Sequence, residues 1–187
     1  MATTADIRNG SVIFHKSKRM KIIEFQHVKP GKGGAFVRTK LKDIQSGKII
    51  DETFNAGHKL EFIRVDAKPM QFLYVDGDSH VFMDNETFDQ INVLTTIIGD
   101  KKNFLTDGAF VDLLFDGSEV LEVRLPPHVI LEVMSTDPGF KGNTATGANK
   151  PATLETGYVL NVPLFINEGD KLRIDTRTGE YVERSKD

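Results

Sequence analysis

The chain has no cysteine among its 187 residues. That excludes disulfides and thiolate metal sites and fits a reducing compartment. No stretch approaches the ~20 apolar residues of a membrane span. The opening, Met1 to Lys18, has no apolar core run, so the expectation is no signal peptide, no membrane and a cytoplasmic protein. Phosphate-loop spacing is missing, because Gly47-Lys48 has no glycine five residues before it and no Ser or Thr after the lysine. Gly31, Gly33 and Gly34 do not make a dinucleotide fingerprint. His15, His27, His58, His80 and His128 are scattered without ligand spacing, and the stretch Asp76 to His80 lacks the rest of a calcium loop. No serine, histidine and carboxylate stand in a nucleophile context. These absences predict a protein with no metal, no cofactor and no catalytic residue, and therefore not an enzyme.

What is present is an uneven charge. The net balance is -3, but residues 1–64 hold 13 Lys+Arg against 6 Asp+Glu, a balance of +7. Residues 65–127 hold 4 against 12, or -8, and residues 128–187 hold 7 against 9, or -2. One basic end on an acidic body suggests an end that meets phosphate and a body that does not wrap it. A groove for single-stranded nucleic acid would need exposed aromatics among cations. Here most of the 13 phenylalanines alternate into strand interiors.

Period-two alternation between turn signals fills most of the chain. It predicts strands at "SVIF", "MKIIEFQHV", "AFVRTKL", "IIDETF" and "LEFIRVD", the content of one small barrel. "MQFLYV" and "HVFMD" flank "DGDS", and "AFVDLLF" and "EVLEVRL" flank "DGS", two hairpins with Asp-Gly turn chemistry. "ETFDQINVLTTIIG", residues 86–99, reads as a short helical patch. "LPPH", residues 125–128, breaks the pattern. The last third predicts "VILEVM", then a long polar loop over 135–157, then one strand "YVLNVPLFI" with Leu160, Val162, Leu164 and Ile166 on one face. "KLRID" and "EYVER" close the chain. The organisation is three all-β units, 1–64, 65–127 and 128–187.

One loop stands out. "KPGKGGAF" sets Lys32 among Pro30, Gly31, Gly33, Gly34 and Ala35, a composition that bends a hairpin tip tightly and keeps it narrow. An ordinary solvated turn lysine is the plain alternative. The narrow tip and the cations behind it, Lys29, Arg38 and Lys40, argue for more. A compact cation on a flexible stem suits phosphate neutralisation and covalent modification.

The whole chain resembles the bacterial elongation factor P family. "KPGKGGAFVRTKL" resembles the family's tip loop and following strand, and "FMDNETFDQ" its middle-domain segment. From "TDPGFKGNTATG" to "EYVER" the resemblance is nearly continuous. Lys150, Ala152, Gly157, Leu160, Val162, Pro163, Phe165, Ile166 and Gly169 fall at the spacings of the family signature. The resemblance implies an SH3-like (KOW-type) barrel with tip loop 29–35, followed by two OB-fold domains, in an L shaped like tRNA. It implies a monomeric translation factor that binds both subunits of the 70S ribosome between the P and E sites, beside P-site peptidyl-tRNA. There it relieves stalling at consecutive prolines by positioning rather than by chemistry.

Carried over by position, Lys29, Pro30, Gly31, Lys32, Gly33 and Gly34 would meet the tRNA acceptor end. Lys32 would be the residue that a lysine-modifying enzyme extends, with β-lysine or an aminopentanol group. Arg38, Lys40 and Lys150 are candidate RNA contacts. Gly142, Asn143, Thr144 and Ala145 fall in the loop that approaches the E-site codon, with Asn143 where relatives usually have Asp. Tyr181 and Arg184 match positions linked to the small subunit. The alternatives are the family's paralogue, which has a different tip loop, and a non-catalytic RNA-binding or assembly protein in which Lys32 matters no more than Lys29 or Arg38.

Overall fold

The structure, a computed structural model, describes residues 2–138 and 149–185. The chain is all-β, and its described strands form three five-stranded sheets in series.

The first sheet is ordered β4-β3-β2-β1-β5. It is built from β1 (Val12–His15), β2 (Lys18–Val28), β3 (Phe36–Asp43), β4 (Ile49–Asn55) and β5 (Glu61–Ile63). On β3 the alternation is strict, with Val37, Thr39, Leu41 and Asp43 buried and Arg38, Lys40 and Lys42 exposed. The inward row joins Ile7, Ile13, Met20, Ile22, Phe54 and Leu60 in one core. Two polar groups on that row are satisfied where they lie, as burial demands. Thr39 Oγ1 donates to the Glu52 carbonyl at 2.9 Å. Asp43 receives Lys18 Nζ at 2.7 Å and the backbone N–H groups of Gln45 and Ser46.

The second sheet, ordered β10-β9-β6-β7-β8, contains β6 (Asp66–Asp76), β7 (Ser79–Met83), β8 (Gln90–Leu94), β9 (Phe110–Asp116) and β10 (Glu119–Arg124). Both Asp-Gly turns form two-residue hairpin connections, with Gly77 at φ +56° and Gly117 at +60°, the left-handed region such turns require. The helical patch expected over 86–99 is corrected. Gln90–Leu94 is strand β8, paired to β7 through Phe82↔Ile91 and His80↔Val93. Only Thr95–Ile98 turns as an α-helix (α1), running into a 3-10 turn at Gly99–Phe104. Burial of β-branched Val93 against the sheet overrides a weak helical pattern.

The third sheet, ordered β13-β12-β11-β14-β15, contains β11 (His128–Thr136), β12 (Asn149–Leu154), β13 (Val159–Pro163), β14 (Lys171–Asp175) and β15 (Tyr181–Arg184). Two expectations change here. The polar loop predicted over 135–157 contains β12, which buries Lys150, Ala152 and Leu154. The strand predicted over 158–166 ends at Pro163, and Ile166 reaches the core from the turn that follows.

By packing, the chain divides into two units. One joins Met1–Ala67 with Leu114–Glu122, and the other joins Lys68–Leu113 with Val123–Asp187. In the first unit, Arg19 grips the β9–β10 hairpin through Asp116 at 2.9 Å and Glu119 at 2.8 Å, and Lys21 holds Glu122 at 2.6 Å. In the second, Phe104 at the end of the 3-10 turn belongs to the third sheet's core. It meets Tyr158 edge-on at 5.1 Å, while Thr156 Oγ1 donates to the Asn103 carbonyl at 2.7 Å.

Candidate functional site

The tip loop follows from the β2–β3 pairing. Register runs Gln26↔Arg38, His27↔Val37 and Val28↔Phe36, so residues 29–35 cap the longest hairpin of the first sheet. Gly33 holds φ at +108°, where a side chain would strain the backbone. Gly31 and Gly34 have ordinary φ, and a Cβ at either would meet open space. The free fold therefore needs glycine at 33 alone. At 31 and 34 its effect is to leave the tip bare. Lys32 is exposed between them. Neither Lys32 nor Lys29 has an ion-pair partner among the described residues.

The cations behind the tip are not equivalent. Arg38 is exposed, with its guanidinium 5.5 Å from the centre of the Phe36 ring. That contact steadies the side chain and leaves its N–H edge free for an anion. Lys40 is held by Glu24 at 2.8 Å. The hydrogen bond to Glu24, then the Glu24 charge and Asp51, raise the Lys40 ammonium above its ordinary range. The cause is a β-bulge between Ile22 and Glu24, which inserts Ile23 and brings Glu24 opposite Lys40. Alternation alone would set Ile23 there.

Of the remaining predicted site residues, Lys150, Tyr181 and Arg184 belong to the third sheet. Lys150 is 5% exposed, and its ammonium donates to the Asp137 carbonyl at 2.6 Å. Tyr181 is half-buried against the third core. Arg184 is exposed, 3.6 Å from Asp170. Gly142, Asn143, Thr144 and Ala145 lie outside the described residues. The hairpin thus brings together Lys29 to Gly34 and Arg38, with Lys40 beside them but paired. Among the described residues no cluster of His, Asp and Glu has the makings of a metal site. None of the described helices is long and apolar enough to cross a membrane.

Three family models match in series. The elongation factor P KOW-like domain covers residues 3–60, the elongation factor P OB domain covers 65–123, and the elongation factor P C-terminal domain covers 129–184. A KOW-like domain leading two OB-type domains defines the class, a multi-domain β translation factor. The chain is 50% identical over 184 residues to elongation factor P of Kocuria rhizophila, covering 98% of both chains. It is 51% identical over 185 residues to that of Salinispora tropica, covering 99% of this chain and 100% of the other. The chain belongs to the elongation factor P family. Among solved structures it is similar to eukaryotic translation initiation factor 5A from Methanococcus jannaschii, with a TM-score of 0.52 and 19% identity over 67% of this chain and 90% of that one. That likeness is one of fold alone.

Proposed function

We propose that this chain binds the ribosome between the P and E sites beside peptidyl-tRNA and stimulates peptide-bond formation at consecutive prolines. The tip loop Lys29–Gly34 reaches the acceptor end of the tRNA. Lys32 supplies a cation there, and it is the residue a lysine-modifying enzyme would extend. The factor's contribution is to hold the acceptor end in line, lowering the entropic share of the barrier. The ribosome performs the reaction. Proline fixes its own φ and constrains the chain around it, so alignment matters most in proline runs.

The observation that carries this reading is Lys32, exposed and without an ion-pair partner among the described residues, set between Gly31 and Gly33 on a bare loop at the end of the β2–β3 hairpin, in a chain of this family. Arg38 follows the backbone of the same strand. Lys40, held by Glu24, contributes little.

The test is ribosomal synthesis of a reporter with three consecutive prolines, without factor, with this protein purified from its native host, and with its Lys32→Ala form. The expected outcome is relief of the stall by the protein and loss of most of that relief in Lys32→Ala. Lys29→Ala should retain the larger part. Equal losses at Lys29, Lys32 and Arg38 would favour a general RNA-binding protein instead.

A further inference from the structure

The loop between β7 and β8, Asp84 to Asp89, combines features that neither folding nor solubility requires. Phe88 holds φ at +63°, a region that glycine and asparagine enter readily and a bulky aromatic side chain rarely does. Its side chain is 70% exposed, the most of any large hydrophobic residue among those described. The backbone around it is nevertheless fastened. Phe88 N–H donates to the Asp84 carbonyl at 2.8 Å, and Asp84 N–H donates to the Asp89 carbonyl at 3.0 Å. Asp84 Oδ1 accepts from Glu86 N–H at 2.8 Å, and Thr87 Oγ1 donates to Asp89 Oδ2 at 2.8 Å. The Cα–Cβ bond of Phe88 is therefore held in place, so little backbone order is lost when something covers the ring.

The surroundings define what can cover it. Asp84, Glu86 and Asp89 share the loop, and none has an ion-pair partner among the described residues. Leaving aside Asp116, Glu119 and Glu122, which pair with Arg19 and Lys21, the stretch 65–127 still holds 9 Asp+Glu against 4 Lys+Arg. A ring set among unpaired carboxylates repels phosphate and rejects an RNA base as its partner. It complements an apolar pocket whose rim carries Lys and Arg, the arrangement of an aromatic anchor within a polar border.

We propose that Phe88 is the anchor of a protein-docking surface, seated in an apolar, cation-rimmed pocket on a ribosomal protein. This rests on the ribosome-binding reading above. It adds a second attachment of opposite character, with the first sheet meeting RNA and the second meeting protein.

The experiment pairs stability with binding. Phe88→Gly relieves the backbone and removes the ring, so its thermal midpoint should equal or exceed that of the unsubstituted protein. Its affinity for salt-washed 70S ribosomes carrying P-site peptidyl-tRNA should fall about tenfold or more. Glu86→Lys should also weaken binding. A benzophenone amino acid placed at position 88 should crosslink to a ribosomal protein in the same complex. Crosslinking to ribosomal RNA, undiminished binding by Phe88→Gly, or a lowered midpoint in that variant would each overturn the proposal. If the unsubstituted protein fails to co-sediment with those ribosomes, the ribosome reading and this inference fall together. If it co-sediments while position 88 crosslinks to nothing, only the inference falls.

Discussion

A single carboxylate, Asp43, does more for the first sheet than its exposed neighbours on β3. It is buried beneath the β3–β4 turn, takes Lys18 on one oxygen and caps Gln45 and Ser46 with the other. The hydrogen bond from Lys18 is the largest cause holding its carboxyl far below the ordinary carboxylate range, against the opposing effect of burial. A carboxylate pKa depressed in the folded state stabilises fully above the unfolded value, about 3.9, and that contribution is lost as pH falls through the folded value. Denaturant unfolding of the native protein should therefore lose free energy from about pH 4 downward. Asp43→Asn should be less stable at neutral pH by about 1–2 kcal/mol and show a flatter acid decline. Identical acid slopes in the two proteins would assign the decline to other carboxylates. The same sheet shows what charge counting misses: of the cations on β3, Arg38 is free for an anion while Lys40 is spent on Glu24. Residue identity placed both on the outer face. Only the bulge at Ile23 separates them.

Strands were legible wherever one face alternates cleanly, because period two is a direct consequence of burying one side of a sheet. β3, β10 and β14 read this way, whereas β7 and β9 bury successive residues and were marked instead by the Asp-Gly turns beside them. β12 did not, since "NKPATL" carries a lysine inward and a proline in mid-strand. Both exceptions have local reasons. Lys150 finds the Asp137 carbonyl. Pro151 pairs with Asn161 on β13, while the register with β11 reaches only to Ala152 opposite Thr136, so its missing N–H leaves no broken ladder on that side. The turn between β14 and β15 carries a sharper constraint. Gly179 holds φ at +74°, and a Cβ there would come within 2.5 Å of Tyr158 Oη and 3.6 Å of Phe104. Tyr158 cannot easily yield, because its ring is already packed edge-on to Phe104 in the third core. Gly179→Ala should therefore cost about 2–4 kcal/mol from backbone strain plus overpacking. In calorimetry this should lower the melting temperature by roughly 2–4 °C per kcal/mol. An unchanged midpoint would mean that the Phe104–Tyr158 contact is looser than its geometry implies.

At the scale of the whole molecule, the +7 balance of the first 64 residues overstates the charge available to a partner. Lys16 is paired with Glu52, Lys18 with Asp43, Lys40 with Glu24, and Arg64 with Asp66. Arg19 and Lys21 are taken up by Asp116, Glu119 and Glu122 of the β9–β10 hairpin. That hairpin comes from the acidic stretch of the sequence and packs in the same unit as the first sheet. The acidic balance of the middle stretch is thus partly a structural complement to the basic one. Reading each segment separately cannot reveal this. What remains uncommitted at the hairpin tip is Lys29, Lys32 and Arg38. On the proposed function, phosphate contacts by these three would give ribosome binding a modest salt dependence, a slope of log affinity against log salt of about -2 to -3. Arg38→Ala should make that slope shallower by about 0.7–0.9. Lys40→Ala should leave it unchanged, because removing a cation already neutralised by Glu24 releases no counterion. The measurement is affinity for ribosomes carrying P-site peptidyl-tRNA over a series of salt concentrations. A slope near -7 would mean that the internal pairs open on binding and that the whole basic segment meets RNA. A slope near zero would move the binding energy away from the tip, onto surfaces such as the one around Phe88.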